Sequence, residues 1–163
     1  MKKILILNTG GTFNKIYNPT KALLEIDNTS PALQDISSKW LCDFEIQHII
    51  AKDSLEMTEK DRLELLNTIK QSAHTHIIVI HGTDTMHLSS ACLAAAKLEK
   101  VVVCTGAMVP YSIDPVEATA NLASAYGYVQ ALEKDGVYIA MNAVLSSYDK
   151  VKKDRKQGKF ILV

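Results

Sequence analysis

Two short stretches of this chain place threonine hydroxyls beside glycine: Thr9-Gly10-Gly11-Thr12 and His81-Gly82-Thr83-Asp84-Thr85. Each directly follows an apolar run, and Asp53-Ser54 follows another. Adjacent glycines let a backbone adopt positive φ and approach a ligand closely. A threonine hydroxyl is a poor nucleophile at neutral pH and needs a base or a positioned proton acceptor. A lysine held near a carboxylate can take that part when burial poises its charge. Threonines, a serine and an aspartate gathered at several strand ends therefore suit hydroxyl-nucleophile chemistry. Plainer readings stand beside this one. Gly10-Gly11 also makes a tight turn, and Thr83 or Asp84 also caps a helix beginning near Met86. The glycines form neither a GxGxxG fingerprint nor a P-loop, and no lysine follows them at P-loop spacing, which argues against nucleotide binding.

Apolar, branched runs alternate with longer helical patterns. Lys3 to Asn8, Phe44 to Ile50, Ile77 to His81, Val101 to Thr105 and Val137 to Asn142 read as buried strands. Helices are predicted from Thr58 to Ala73, from Met86 to Leu98 and from Pro115 to Lys134, with a weaker one from Pro31 to Trp40. Thr58 and Asp114 suit the capping positions, Pro115 suits a first turn, and Leu63, Leu65, Leu66 and Ile69 form an apolar stripe. Strand–helix–strand repetition implies a three-layer α/β domain, Rossmann-like or flavodoxin-like, with a mainly parallel sheet. Ligands of such sheets bind beyond the carboxyl ends of the strands. All the polar stretches above fall there, and so does Gly106-Ala107-Met108. The tail from Asp149 to Lys159, with six lysines or arginines against two aspartates, reads as a solvated charged surface.

The 163 residues fit one domain, 1–163, with a single ordinary core. Eighteen basic residues balance eighteen acidic ones, so no basic excess points to nucleic acid, and no net charge opposes self-association. No apolar run approaches the ~18–20 residues of a membrane span, and the apolar stretch at the N-terminus is shorter than the about 7–15 residues of a signal peptide. Cys42, Cys92 and Cys104 show no ligand spacing and read as free thiols of a reducing cytoplasm. His74 and His76 would share a strand face, yet metal ligation needs at least a third ligand. Met57, Met86 and Met108 follow the polar loops as pocket lining or as gap filling. Neither a metal nor a cofactor is expected.

Thr9-Gly10-Gly11-Thr12 and His81-Gly82-Thr83-Asp84-Thr85-Met86 resemble the two signature motifs of the bacterial-type L-asparaginases and glutaminase-asparaginases. Further segments match in the family's order: Asp53-Ser54-Leu55-Glu56-Met57, Thr105-Gly106-Ala107-Met108-Val109-Pro110, Asn121-Leu122, Val144-Leu145 and the lysine segment reached at Lys152. The resemblance covers nearly the whole chain. It implies that Thr12 attacks a side-chain amide carbon, giving an acyl-enzyme and ammonia. It implies that Lys152 (or its neighbour Lys153, if the basic run is displaced by one) eases deprotonation of Thr83. It further implies that Asp84 holds the substrate's α-amino group and that Asp53 and Ser54 bind the substrate, Ser54 through the α-carboxylate. Gly11 and Ala107 would line the site, with the backbone at Thr83 and Ala107 meeting the amide, and Tyr17 would be the lid tyrosine. Family enzymes carry a second, smaller domain, and a neighbouring subunit completes each site. The chain therefore reads as the family's first domain alone, and Glu117-Ala118 stands where Asp-Gly is usual. The expected function is hydrolysis of a small amide, L-asparagine first, by a cytoplasmic homo-oligomer without nucleic-acid or membrane partners. The alternatives are an amino-acid-binding module that has lost turnover and a subunit completed by a partner chain. Val109, Tyr111, Ile113, Tyr126 and Tyr128 either meet a neighbouring copy or pack on their own sheet.

Overall fold

A computed structural model describes residues 2–42 and 44–163. In chain order the elements are β1 (Ile4–Gly10), a hairpin of β2 (Lys15–Asn18) and β3 (Leu23–Ile26), α1 (Pro31–Trp40), β4 (Phe44–Lys52), α2 (Glu59–Gln71), β5 (His76–Ile80), α3 (Met86–Ala95), β6 (Val101–Thr105), α4 (Pro115–Ala131), β7 (Gly136–Met141), β8 (Val144–Ser147), and a second hairpin of β9 (Val151–Asp154) and β10 (Lys159–Leu162). Short 3₁₀ turns at Thr12–Asn14 and Ser54–Glu56 follow β1 and β4. All five expected strands and all four expected helices form. The two hairpins replace what reads in the sequence as a loop after the first motif and as a solvated charged tail.

The main sheet runs β4-β1-β5-β6-β7-β8 and is parallel apart from β8, which turns back along β7. Side chains alternate across each strand, so each strand feeds two cores. Ile4, Ile6, Ile78, Ile80, Val101 and Val103 face α1 and α4, meeting Leu33, Ile36, Leu122 and Val129. Leu5, Leu7, Ile77, Val79, Val102 and Cys104 face the other way, against Leu65, Ile69 and Leu93 of α2 and α3. Burying each such aliphatic side chain is worth about 1.5–3 kcal/mol. On α2 the buried stripe is Leu65, Leu66 and Ile69, whereas Leu63 is exposed. Thr58 and Asp61 close a reciprocal capping box at its start, and Asp114 accepts from the Val116 N–H at the start of α4. Val151 and Phe160 join the second core, so the basic tail is anchored rather than free.

The chain places β4 on one side of β1 and then β5 on the other, which makes the β1/β5 junction the switch point of the sheet. Loops diverge there and leave a crevice at the carboxyl ends of the strands. Both threonine-glycine stretches leave from these two strands.

Candidate active site

A row of hydrogen bonds ties the carboxyl edge together. Thr9 Oγ donates to the Ile80 carbonyl at 2.7 Å, the His81 N–H to the Thr105 carbonyl at 2.9 Å, and Thr105 Oγ to the Ala140 carbonyl at 2.7 Å. Three of the loops then touch backbone to backbone. A Cβ on Gly11 would stand 2.5 Å from the Gly82 nitrogen, and one on Gly82 would stand 2.6 Å from the Ser54 Cβ. Gly11 also sits at φ 73° and ψ −179°, a region open essentially to glycine alone. These contacts draw together Thr12, Thr83 and Ser54, each of them at or beside a glycine contact. His81 buttresses the middle loop from below. A carbonyl can only accept, so the His81 Nδ1 carries the proton given to Gly82 at 2.7 Å, and Nε2 accepts from the Ser89 hydroxyl. Burial pushes the His81 pKa down to about 4 and holds the ring neutral.

The cation at Thr83 is Lys153, not Lys152. Lys153 Nζ donates to Thr83 Oγ at 2.8 Å and to Asp84 Oδ1 at 3.0 Å. Val151 is buried, and strand alternation puts Lys153 on the same face and Lys152 on the opposite, exposed one. Lys153 pairs with Phe160 across the hairpin, whose turn carries Gly158 at φ 62°. Thr83 Oγ accepts from an ammonium, so its own proton is left to donate elsewhere. Asp84 carries a second cation that the sequence reading did not include. Arg155 Nη1 donates to the same Oδ1 at 2.8 Å. Burial pushes the Asp84 carboxyl up, but Lys153 and Arg155 outweigh it and hold the pKa below the usual carboxylate range. Ser54 Oγ accepts from the Asp84 N–H at 3.1 Å, which leaves its hydroxyl proton for a ligand, and Thr85 Oγ donates to the Ser54 carbonyl. Neither Thr83 nor Asp84 caps α3; the capping position is Thr85, whose side chain bonds Ser54 and makes no capping bond to the helix.

Thr12 opens the 3₁₀ turn, half-buried, and its hydroxyl makes no hydrogen bond among the described residues. Asn14 pins the turn from the side, donating to the Gly10 carbonyl at 2.6 Å and to Asn8 Oδ1 at 2.8 Å. Asp53 is committed to structure. It accepts from the Leu55 N–H and pairs with Lys15 Nζ at 2.7 Å, which ties the β2–β3 hairpin to the site's edge. Tyr17 shares Lys15's face of the hairpin by alternation, yet it is 60% exposed and stacks on no ring among the described residues.

Ala107 is fully buried, and its loop is held by a residue that the sequence marks only as a departure from the family pattern. The Glu117 carboxylate accepts from the N–H groups of Met108 and Val109 at 2.9–3.1 Å, from Asn121 Nδ2 and from Asn142 Nδ2. Asn121 also donates to the Gly106 carbonyl at 3.0 Å, and Asn142 Oδ1 accepts from the Phe160 N–H at 3.1 Å. The loop bearing Ala107 and the hairpin bearing Lys153 therefore share one network. An acidic residue in a first helical turn was the available signal for Glu117, and nothing local in the sequence marks Asn142.

A cleft of about 460 Å³ opens beside Thr83 and Asp84, lined among others by Lys153, Arg155, Asp149, Ile139, Val151 and Phe160. No group of three metal-ligating side chains assembles among the described residues; His74 lies outside β5 and faces Glu45, and His76 bonds Thr75. Burial pushes the Cys104 thiol up to about 11, which keeps it un-ionised. Tyr111 stacks on Phe13, Tyr126 packs edge-on to Trp40 and Phe44, and Tyr128 packs on Tyr138, so these three rings belong to their own chain. A threonine hydroxyl without a partner among the described residues, a second one bonded to a lysine, and a serine hydroxyl with its proton to give are groups of the kind that acyl transfer uses.

The sequence profile described as "Asparaginase, N-terminal" matches residues 3–158. A probable cytoplasmic L-asparaginase from Campylobacter jejuni superposes with a TM-score of 0.82 at 27% identity, over 98% of this chain and 52% of that one. The thermostable L-asparaginase from Thermococcus kodakarensis superposes with a TM-score of 0.81 at 21% identity, over 99% of this chain and 51% of that one, and shares the fold. The chain spans about half the length of both. A search of curated protein sequences returned no match.

Proposed function

The chain belongs to the asparaginase family through that family's N-terminal domain, and from that premise we propose that it hydrolyses a small side-chain amide through a threonine nucleophile. The observation that carries this reading is the pairing of an unengaged Thr12 hydroxyl with a Thr83 hydroxyl bonded to Lys153 across one switch-point crevice. Thr12 Oγ attacks the amide carbon. Its proton passes to the amide nitrogen, the C–N bond breaks, ammonia leaves, and an ester remains on Thr12. Water then cleaves the ester and restores the hydroxyl. Lys153 lowers the cost of an alkoxide at Thr83, which lets Thr83 relay the proton. The Ser54 hydroxyl takes the substrate carboxylate, and backbone at Thr83 and Ala107 meets the amide, one group as oxyanion donor and one as acceptor.

L-asparagine is the first substrate to test, in keeping with the names of the two solved relatives. A homo-oligomer in a reducing compartment completes the reading. Val109, Ile113 and Val116 are exposed apolar residues on the loop and helix beside Ala107, and the three cysteines are free. The test is ammonia release by wild type and by Thr12→Val, a swap that removes the hydroxyl at nearly constant shape. Abolished release with unchanged folding supports the reading. Retained release moves the nucleophile to Thr83 or excludes covalent catalysis. Wild type that releases no ammonia yet is thermally stabilised by L-asparagine favours a binding module.

A further inference from the structure

We infer that Arg155 makes the site indifferent to the α-ammonium of its substrate, so that a four-carbon ω-amide monocarboxylate lacking the amino group is taken at least as well as L-asparagine. This inference rests on the amide-hydrolysis reading above and narrows its substrate class.

In that reading Asp84 is the counter-ion for the α-ammonium. Its Oδ1 already accepts from two cations, Lys153 Nζ at 3.0 Å and Arg155 Nη1 at 2.8 Å. One carboxylate faces two positive charges before any substrate arrives. Of the other acids, Asp53 is paired with Lys15, and Asp149 lines the same cleft without an ion pair to Lys153 or Arg155 among the described residues. A third cation entering beside Asp84 meets an excess of positive charge, whereas an entering carboxylate meets an attractive field. The Ser54 hydroxyl is also left to donate to that carboxylate.

The two cations are not equivalent. Lys153 is 16% exposed and engaged by Thr83 as well, so it belongs to the hydroxyl chemistry. Arg155 is 65% exposed and, among the described residues, bonded to Asp84 alone. Its fork keeps further N–H donors for a substrate carboxylate. Arg155 is therefore a specificity residue whose charge can be removed without touching Thr83.

Titration calorimetry with L-aspartate and succinate, which differ by the α-ammonium alone, tests this. Ammonia release from L-asparagine and succinamate runs alongside. In wild type, succinate binds at least as tightly as L-aspartate. Arg155→Gln shifts the ratio of the two dissociation constants toward L-aspartate by roughly five- to tenfold, the scale of one partly screened charge. Arg155→Lys keeps the wild-type ratio. The inference is overturned if wild type prefers L-aspartate, if Arg155→Gln leaves the ratio unchanged, or if Arg155→Lys behaves as Arg155→Gln does. Ammonia release with an unmoved ratio removes this inference and leaves the amidohydrolase reading standing. Binding of neither ligand by any variant, with no ammonia released, removes both.

Discussion

Lys153 reaches Thr83 because Val151 is buried and a strand alternates, so the residue two along returns to the same face. A run of six basic residues hides that register: Lys152 and Lys153 look alike until the buried Val151 and Phe160 reveal a hairpin. The threonines, Ser54 and Asp84 were legible because glycine contacts and polar strand ends mark them. Arg155 was not, since nothing in a charged tail says which cation folds back. Replacing Lys153 with Gln should lower ammonia release by about 10²–10⁴-fold, the usual worth of a proton-transfer partner. Lys152→Gln should stay within about twofold on the same assay, because its side chain faces away from the hydroxyls. His81 gives a stability prediction. Between pH 6.5 and about 4 the unfolded chain takes up a proton that the buried ring refuses. The stability due to the neutral ring is complete above pH 6.5 and is lost as pH falls toward 4. Urea unfolding of His81→Asn across that window should show a flatter pH slope than wild type, from a lower stability at pH 7.

At the scale of elements, five strands and four helices were readable from apolar periodicity and capping residues. The β2–β3 and β9–β10 hairpins were not, because their strands are only four residues long, with little apolar alternation to read. Asp61 fixes the start of α2, accepting from the Thr58 N–H and hydroxyl and pairing with Lys52 at 2.8 Å. The Lys52 and Thr58 bonds outweigh burial and hold its pKa at about 2, against 3.8 ordinarily. The stabilisation is full above pH 3.8 and disappears as pH falls through about 2. Asp61→Asn should cost about 1–2 kcal/mol at pH 7, the shift being discounted because Lys52 is partly exposed, and the difference from wild type should close by pH 2 in acid melts. Glu117 acts between elements. Glu117→Gln replaces one acceptor oxygen with a donor facing two backbone N–H groups, and should cut kcat about tenfold or more through the Ala107 loop. Steady-state kinetics beside circular dichroism would separate that effect from unfolding.

At the scale of the whole molecule, the sheet order sets the switch-point crevice and the charge balance leaves association unopposed. Tyr111, Tyr126 and Tyr128 pack within the chain, whereas Val109, Ile113 and Val116 are exposed apolar residues on the loop and helix beyond Ala107. Light scattering at micromolar concentration should report a dimer or tetramer, and Val116→Glu should shift it toward monomer. A fully active wild-type monomer would show that no neighbour is needed. No helix among the described residues is long and apolar enough to cross a membrane. The central claim is that Thr12 carries the acyl group in transit. Acid quenching of wild type during turnover of L-asparagine and succinamate, followed by peptide mass mapping, tests it directly. The account predicts a transient acyl adduct on the peptide containing Thr12, absent from Thr12→Val. An adduct on Thr83, or steady ammonia release with no adduct on any residue at any quench time, would contradict it.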